Sequence, residues 1–327
     1  MLREYKVVHF SQTPLVGAPG KISKALNNIN ISSSSYCYVD YPNKGGLYGK
    51  FIDNTHVINN MQPHVYSAFI EDIKRADIIH IHNGIDLNFL KKIISHCPNA
   101  IFIYQVHSPL REGPLFIDRS DNIGVSFSKK LVVAQYQPRH YQDYTLVPNL
   151  VLDTPSLILR EGSKPLKVLF SPAHKRPGGR WNTKTTEGLE DFLISLDRGG
   201  VIELIKQKEH LHPSSLMLLR RHVDITIDEI ATGAFHQVSL EGLCAGNVVI
   251  NRADFFSKSM LACVSGSPSL PPFVNADSQS IFDVLIRLSK DIDETNKIKE
   301  ESYFYFMKYL NSNKMVKNFM KVYDEVI

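Results

Sequence analysis

The chain has 327 residues, with 37 lysine and arginine residues against 33 aspartate and glutamate residues, which gives a net charge of +4. This near balance excludes a polybasic nucleic-acid-binding tail as the main feature. The length predicts two domains, and the 43% hydrophobic content is enough for two ordinary cores. Disordered and fibrous classes are therefore excluded.

The cysteines are too far apart to form a C-x-x-C pair. They are Cys37, Cys97, Cys244 and Cys263. This spacing indicates neither a disulfide framework nor a thiolate zinc site, so we expect reduced thiols. The first residues show no apolar leader, and no run reaches the roughly 18 apolar residues that a membrane span needs. We therefore expect a cytoplasmic protein.

In the first half, short β-branched or aromatic runs alternate with amphipathic stretches, as in β-α-β units with a parallel sheet. The predicted strands are Lys6–Phe10, Ser35–Val39, Asp77–His82, Ala100–Val106, Ile123–Phe127 and Tyr144–Val147. The predicted helices are Lys21–Asn28, Val65–Arg75, Leu87–His96 and Lys129–Tyr136, with apolar residues three and four apart. The pattern predicts a doubly wound sheet.

A polar, turn-forming stretch from Pro148 to Pro165 then indicates a boundary. The predicted strands of the second half are Lys167–Phe170, Val201–Leu204, Val223–Ile227 and Val248–Ile250. The predicted helices are Glu187–Leu196, Ser214–Arg221, Gln237–Ala245 and Ser278–Ser289, and helix continues beyond Asp291 with a break near Asn311–Asn313. We predict two α/β domains, residues 1–155 and 156–300, with terminal helices at 301–327. Their cleft, at the carboxyl ends of the strands, is the expected ligand site.

The first loop, Ser11–Gly20, follows a strand and precedes a helix. Its backbone amides and the helix N-terminus could face an anion or an acceptor group, with Gly17 and Gly20 allowing close approach. The loop matches neither G-x-G-x-x-G nor a P-loop. The alternative is a turn that only reverses the chain.

Histidines occur where two apolar strands end. His80 and His82 alternate with isoleucine, which puts both on one face of a strand, and His107 ends the next strand. A histidine at a strand's carboxyl end can donate to a sugar hydroxyl or act as a base. The alternative is a purely structural role. Metal binding has less support, because both loops lack a carboxylate or cysteine at ligand spacing.

The densest cationic segment is Phe170–Lys184, immediately after a predicted strand. It contains His174, Arg176, Arg180 and Lys184 around two adjacent glycines and the only tryptophan. Arginine as a bidentate fork and lysine as a point charge can hold a diphosphate. The alternative is a solvated surface loop.

The strongest signal is Ile225–Ile250, in which a strand ends at Asp228 and a glycine-containing loop leads into a helix that stops at Gly246. The amides of about Phe235 to Val238 would be the free donors of the first helical turn, where the dipole favours a phosphate. Glu241, more than a turn further in, could accept hydrogen bonds from the hydroxyls of a ribose. The alternative is an ordinary β-α-β unit with an incidental glutamate.

The run Leu240–Ile250 resembles the nucleotide-sugar site of GT-B-fold glycosyltransferases, especially retaining enzymes of the family 4 type. Their motif is Glu, seven residues, Glu, then Gly/Ala-Met-Ala-x-Gly-x-Pro-Val-Ile, and its second glutamate, which binds the donor ribose, corresponds to Glu241. The segments Ala76–His82, Val106–His107, Val147–Asn149 and Ser171–Lys184 are also similar to family motifs, in the same order along the chain.

Three departures from the family pattern matter. The first glutamate of the motif falls on Gly233, so the carboxylate that contacts the donor sugar is absent, and Glu229 or Asp228 could substitute. Asn247 stands where the family motif has a proline after the helix. An apparent insertion, Pro177–Asn182, leaves the choice among Arg176, Arg180 and Lys184 open.

The resemblance implies a GT-B fold with two Rossmann-like domains facing a cleft and C-terminal helices that pack back on the first domain. It implies transfer of a sugar from a nucleoside-diphosphate sugar to a glycan or lipid-linked acceptor, with retention and without a metal or cofactor, in surface polysaccharide or glycoconjugate biosynthesis. The expected catalytic residues are His107 and Glu229. The expected donor-binding residues are His174, Arg176, Arg180, Lys184, Gly233, Phe235, His236 and Glu241. The expected acceptor or phosphate loop residues are Gly17, Gly20 and His82.

Two other functions remain open: a nucleotide-sugar epimerase of the same fold, and a non-catalytic sugar- or nucleotide-binding subunit, which the glycine at position 233 motivates. No nucleic-acid partner is expected. Peripheral contact with the inner face of a membrane is a further possibility, because lysines recur among aromatic residues from Phe304 to Lys321. The alternative is a set of solvated lysines on one side of the terminal helices.

Overall fold

The computed structural model describes residues 5–40, 55–59, 61–107, 125–162, 164–171, 186–206 and 211–327. The chain divides into two compact units, Met1–Leu152 with Ser312–Ile327, and Asp153–Asn311. The cationic loop with His174, Arg176, Arg180 and Lys184 lies outside the described residues.

Both units are built on parallel sheets. The strands of the described part of the first unit are β1 (Lys6–Ser11), β2 (Ser32–Cys37), β3 (Thr55–Val57), β4 (Ile78–His82), β5 (Ile101–Val106), β6 (Lys129–Val133) and β7 (Thr145–Val147), in the order β3-β2-β1-β4-β5-β6-β7. Those of the second unit are β8 (Leu166–Phe170), β9 (Ile202–Lys206), β10 (Ile225–Ile227), β11 (Val248–Asn251) and β12 (Val274–Asn275), in the order β12-β11-β10-β8-β9.

Helices connect the strands, as parallel pairing requires. In the described residues of the first unit they are α1 (Ala18–Asn27), α2 (Pro63–Lys74) and α3 (Leu87–His96). The second unit contains α4 (Leu189–Arg198), α5 (Pro213–Arg221), α6 (Gln237–Cys244), α7 (Phe255–Ser265), α8 (Ile281–Lys290) and α9 (Ile292–Tyr305). The chain returns to the first unit with α10 (Ser312–Met315) and α11 (Lys317–Asp324).

The alternation of side chains along β1 and β4 separates two faces of the first sheet. Val8 and Phe10 of β1 pack in one hydrophobic core with residues of α2 and α3. The intervening His9, like His80 of β4, points to the opposite face, where the hydroxyl of Tyr323 in α11 is hydrogen-bonded to Nδ1 of His80 at 2.9 Å. Polar side chains therefore line the face that the terminal helix covers.

One predicted helix is a strand. Residues 129–136 were expected to be helical after a strand at Ile123–Phe127, but 125–127 have no regular structure and β6 begins at Lys129. Leu131, Val132 and Val133 are fully buried, and β6 pairs with β5 on one side and β7 on the other. A strand buried on both faces has a continuous apolar run, which periodicity alone does not distinguish from a helix.

The terminal helices are divided differently from the prediction. Residues 301–311, expected to return to the first domain, group with the second unit, because α9 and the π-helical turn Phe306–Leu310 continue without a break. The chain becomes extended at Asn311, where the sequence predicts the break. Among the described residues, no helix is both long enough and apolar enough to cross a membrane.

Candidate functional site

The loop between β10 and α6 is organised around a buried carboxylate. Asp228 follows β10 directly and accepts hydrogen bonds from the main-chain N–H of His236 at 2.6 Å and from the hydroxyl of Ser239 at 2.7 Å, with Nδ1 of His236 at 3.2 Å. Burial alone raises the pKa of Asp228, but the charge of His236 and the hydrogen bonds from His236 and Ser239 lower it below its ordinary value. The group is therefore held as a carboxylate at the start of α6.

Glu229 closes the same loop. Its carboxylate accepts from the main-chain N–H of Thr232 at 3.0 Å, from the hydroxyl of Thr232, and from the N–H of Ala234 at 3.3 Å. The side chain is buried, at 5% exposure. These contacts assign Glu229 to holding the loop, and the catalytic role expected from the sequence has no support in this geometry.

Of the main-chain donors from Phe235 to Val238 that the sequence predicts to receive a phosphate, that of His236 already has a partner, as does the preceding N–H of Ala234. The N–H of His236 donates to Asp228, and the N–H of Ala234 donates to Glu229. A carboxylate at a helix N-terminus is favoured by the same dipole that would favour a phosphate. Phe235 is fully buried and packs against Phe273, with ring centroids 5.4 Å apart, so its ring serves the core.

Gly233 occupies a position where a side chain would be strained. Its φ is +82°, and a Cβ atom there would lie 3.1 Å from Oδ2 of Asp254. Its carbonyl accepts from the N–H of Asp254 and the hydroxyl of Ser257, both at 3.0 Å. Asp254 in turn caps α7 through the N–H of Ser257 at 2.9 Å. The backbone and Asp254 together favour glycine where the family motif has glutamate.

Glu241 is paired with an arginine that the sequence analysis did not single out. Nη1 of Arg220 lies 2.9 Å from Oε2 of Glu241, and their side chains are 2% and 16% exposed. Arg220 and Met217 are the buried residues of α5, three positions apart, so helical periodicity places Arg220 on the inner face. The three-residue spacing of Met217 and Arg220 is the feature of the sequence that could have identified Arg220 as an inward-facing residue.

The other end of α6 is fixed by close packing. Gly246 has a φ of +66°, and a Cβ atom there would lie 2.6 Å from the main-chain oxygen of Ser156. Asn247, which stands where the family has proline, is buried and donates through Nδ2 to the hydroxyl of Thr226 at 2.8 Å. The helix that carries Glu241 is therefore anchored against its own sheet at both ends.

The first unit contains a chain of histidine rings. Nδ1 of His9 lies 2.9 Å from Nε2 of His82, and Nδ1 of His82 lies 2.8 Å from Nε2 of His107. The rings of His80 and His82 are stacked with centroids 4.1 Å apart, as expected for residues on one face of a strand. The sequence predicted that pair, but His9 joins the cluster only because β1 pairs with β4.

These histidines are neutral at neutral pH. Burial lowers the pKa of His9 to about 3, with a further contribution from the charge of His107. Burial alone lowers the pKa of His107 to about 3. The pKa values of His80 and His82 lie well below the ordinary value, first because of burial and then because of the neighbouring histidines.

Nitrogen atoms of His9, His80 and His82 lie within 4.8 Å of one another, a grouping that could hold a metal ion. An imidazole binds a metal through a lone pair in the plane of its ring. The contacts of His82 with His9 and His107 use both of its nitrogens. The arrangement fits mutual hydrogen bonding better than ligation.

His107 is held in place through its main chain as well as its ring. Its N–H donates to Oδ1 of Asn83 at 2.7 Å, and its carbonyl accepts from Nε2 of Gln137 at 2.6 Å. Both partners are buried. His107 itself is half-buried and is the most accessible member of the chain that runs from His9 through His82.

The first loop has an unusual backbone. Leu15, Val16 and Gly17 have φ values of +50°, +57° and +78°. The N–H of Gly17 donates to the carbonyl of Pro14 at 2.8 Å, and Gly20 lies inside the first turn of α1. Val16 is 77% exposed. A β-branched residue with positive φ is rare, so the loop stores strain at the end of β1.

No protein-family model and no curated protein matches this sequence. Solved structures do match. One is an α-glucosyltransferase in complex with UDP and a 13-mer DNA containing a central A:G mismatch, with 9% identity, a TM-score of 0.62, and coverage of 98% of this chain and 99% of that one. Another is the HepE protein of Anabaena in complex with UDP-glucose, with 12% identity, a TM-score of 0.61 and the same coverage.

A third is sucrose-phosphate synthase from Thermosynechococcus elongatus, with 10% identity, a TM-score of 0.59, and coverage of 99% of both chains. At such low identity these similarities establish the fold. The chain has the GT-B fold, with two Rossmann-like units, as the sequence resemblance predicted.

Proposed function

We propose that this protein is a glycosyltransferase that moves a sugar from a nucleoside-diphosphate sugar to a glycan or lipid-linked acceptor. The support is a GT-B fold over nearly the whole chain together with Glu241 at the position of the ribose-binding glutamate. Structures similar to this chain contain UDP or UDP-glucose, so UDP sugars are the first donors to test. Retention of configuration, independence of metals and a role in surface polysaccharide or glycoconjugate synthesis belong to the same proposal.

The observation that carries the proposal is the pair formed by Glu241 and Arg220. An arginine that is almost fully buried is costly unless it is paired, and here its partner is a carboxylate that remains 16% exposed. The pair holds the glutamate in one orientation before any ligand binds. A carboxylate oriented in advance is suited to accept hydrogen bonds from the two hydroxyls of a ribose.

The remaining roles follow the chemistry of the transfer. Breaking the bond between sugar and diphosphate develops positive charge on the sugar and negative charge on the leaving group. Arg176, Arg180 and Lys184 are the proposed partners of the diphosphate, because cationic groups aimed at developing charge supply a large part of catalysis. His107, held by Asn83 and Gln137, is the proposed contact of the transferred sugar.

A second candidate is a protein that binds a nucleotide sugar without turning it over. Gly233 supports this reading, because the motif carboxylate is missing and the backbone with Asp254 disfavours a side chain there. Glu229, the nearest substitute, uses its carboxylate within its own loop. Binding without transfer would then be the whole activity.

Donor binding is tested with a thermal-shift panel of UDP, GDP, ADP and CMP sugars. A donor that binds only the folded state raises the melting temperature by mass action. We expect a UDP sugar to stabilise the wild type and the exposed control Glu300→Gln, and we expect Glu241→Gln to lose the shift. If none of the nucleotide sugars stabilises the folded wild type, the proposed function is contradicted.

Turnover is tested by measuring nucleotide release with each binding donor alone, with glycans, with lipid-linked glycans and with DNA. The DNA acceptor is included because of the α-glucosyltransferase complex. Transfer to a carbohydrate acceptor supports the proposal, and the anomeric configuration of the product decides between retention and inversion. Donor binding without release under any condition, water included, supports the second candidate.

A further inference from the structure

The histidine chain links a residue deep in the first unit to the candidate sugar-binding residue. His9 and His82 have no exposed surface, whereas His107 is half-buried. The two ring contacts, at 2.9 Å and 2.8 Å, are both hydrogen-bond distances between nitrogen atoms. Both nitrogens of His82 are used, one toward His9 and one toward His107.

A neutral imidazole carries hydrogen on one nitrogen and a lone pair on the other. Burial keeps all three rings neutral, because it lowers their pKa values far below neutrality. His82 therefore donates to one neighbour and accepts from the other. Only two arrangements satisfy both contacts: hydrogen lies on Nδ1 of every ring, or on Nε2 of every ring. The rings change tautomer together.

The inner end of the chain distinguishes the two arrangements. Nε2 of His9 is buried and has no hydrogen-bond partner among the residues that the structure describes. With hydrogen on every Nε2, this atom would be an orphaned N–H. With hydrogen on every Nδ1, it is a bare acceptor, and unpaired acceptors are less rare in native proteins than unpaired buried N–H groups. The second arrangement is therefore favoured.

We propose that His9, acting through His82, holds the hydrogen of His107 on Nδ1, so that His107 is a hydrogen-bond donor to the substrate rather than a base. His9 and His82 are then positioning residues that never touch a ligand. A ligand that reaches Nδ1 of His107 meets an N–H, which suits an oxygen atom of the sugar. This last point rests on the proposed function, whereas the coupling of tautomers rests on the ring geometry alone.

His80 belongs to the cluster but not to the chain. It stacks on His82 and is hydrogen-bonded through Nδ1 to Tyr323. It restricts the tilt of the His82 ring without fixing which nitrogen carries hydrogen. The two residues on which the tautomer of His107 depends are thus His82 and His9.

The first test is nitrogen NMR on the wild-type protein labelled with ¹⁵N-histidine, because protonated and bare ring nitrogens have well-separated shifts. Each nitrogen signal is assigned by substituting His9, His82 and His107 one at a time. We expect His9, His82 and His107 all to carry hydrogen on Nδ1. Different tautomers in His82 and His107, hydrogen on Nε2 of His82, or a charged ring would overturn the proposal.

The second test is an isosteric pair of variants. Asn in His9→Asn has a δ-position N–H that can donate to Nε2 of His82, so the tautomer of His107 should be kept. An ionised aspartate in His9→Asp, which its carboxylate infrared band identifies, can only accept at that position, so hydrogen should move to Nε2 of both His82 and His107. If His9→Asp folds with an ionised carboxylate and a neutral His82, and His107 keeps its Nδ1 hydrogen, the coupling is disproved. If neither variant folds, the wild-type measurement still decides.

Activity and metal content complete the test. With a donor that turns over, His9→Asp should fall about tenfold or more below His9→Asn in kcat, with KM similar, because an oriented donor is replaced by a bare nitrogen. If His9→Asp reverses the tautomers but the wild type transfers no sugar, the coupling of tautomers stands and the proposed function is contradicted. Stoichiometric metal bound by wild type and lost in His9→Asn would overturn the hydrogen-bonded chain.

Discussion

The carboxylate of Glu241 and the guanidinium of Arg220 form a 2.9 Å ion pair that joins α6 to α5, with the arginine buried and the glutamate partly open to solvent. Truncating one partner of such a pair leaves a buried charge without compensation. The pair therefore couples the stability of the second unit to the residue proposed to bind the donor ribose.

Arg220→Met is expected to lower the free energy of unfolding by about 1–3 kcal/mol. This loss is smaller than for a fully buried ion pair, because the carboxylate of Glu241 remains partly solvated. The substitution should also weaken donor binding, since the glutamate loses its fixed orientation. The double variant Arg220→Met/Glu241→Leu should recover part of the stability but no donor binding. Urea unfolding and donor titration measure the two effects. Full donor affinity in Arg220→Met would show that Glu241 needs no support.

Gly233→Ala is expected to destabilise the protein by about 1–3 kcal/mol, because alanine is strained at positive φ and its Cβ would press on Asp254. Gly266→Ala is the matched control, since Gly266 has a φ of +62° and nothing within 4 Å of the added Cβ. The difference between the two variants isolates the contact with Asp254. Equal losses in urea unfolding would mean that the carboxylate moves away without cost.

Asp228 is expected to make stability depend on pH in the acid range. Its folded pKa is lowered, so its contribution is present above its unfolded pKa of about 3.9 and is lost as the pH falls through the folded value. Asp228→Asn should therefore be destabilising at neutral pH, and the gap to wild type should narrow below about pH 4. Unfolding by urea at several pH values measures this, with the exposed Asp283→Asn as control. A gap that stays constant down to pH 2 would contradict it.

The buried histidines are expected to change stability with pH in the same direction as Asp228, but starting at higher pH. Their folded pKa values are lowered, so the unfolded chain takes up protons first, below about pH 6.5. Their contribution is full above that pH and is lost as the pH falls toward the folded values, by about 1.4 kcal/mol per pH unit for each histidine. His80→Phe should reduce the slope between pH 6 and pH 4 by about that amount. The exposed His64→Gln serves as control, and an unchanged slope in His80→Phe would contradict the assignment.

Much of the fold could be predicted from the chain because local patterns report it directly. The alternation of short apolar strands and amphipathic helices predicted both parallel sheets. The polar stretch from Pro148 to Pro165 predicted a boundary after residue 155, and the two units divide after Leu152. The prediction of a helix at 129–136 was wrong, because its apolar run becomes a strand only through pairing with β5 and β7. A pairing partner distant in sequence leaves no local signature.

For the candidate site, local sequence patterns place particular residue types at the ends of strands and within α6, including His82, His107 and Glu241. The partners of these residues depend on the tertiary structure. The pairing of β1 with β4 brings His9 to His82, and the packing of α5 beside α6 brings Arg220 to Glu241. The physical reason is that hydrogen bonds and ion pairs act over a few ångströms in space, while spacing along a chain specifies geometry only within one element or turn.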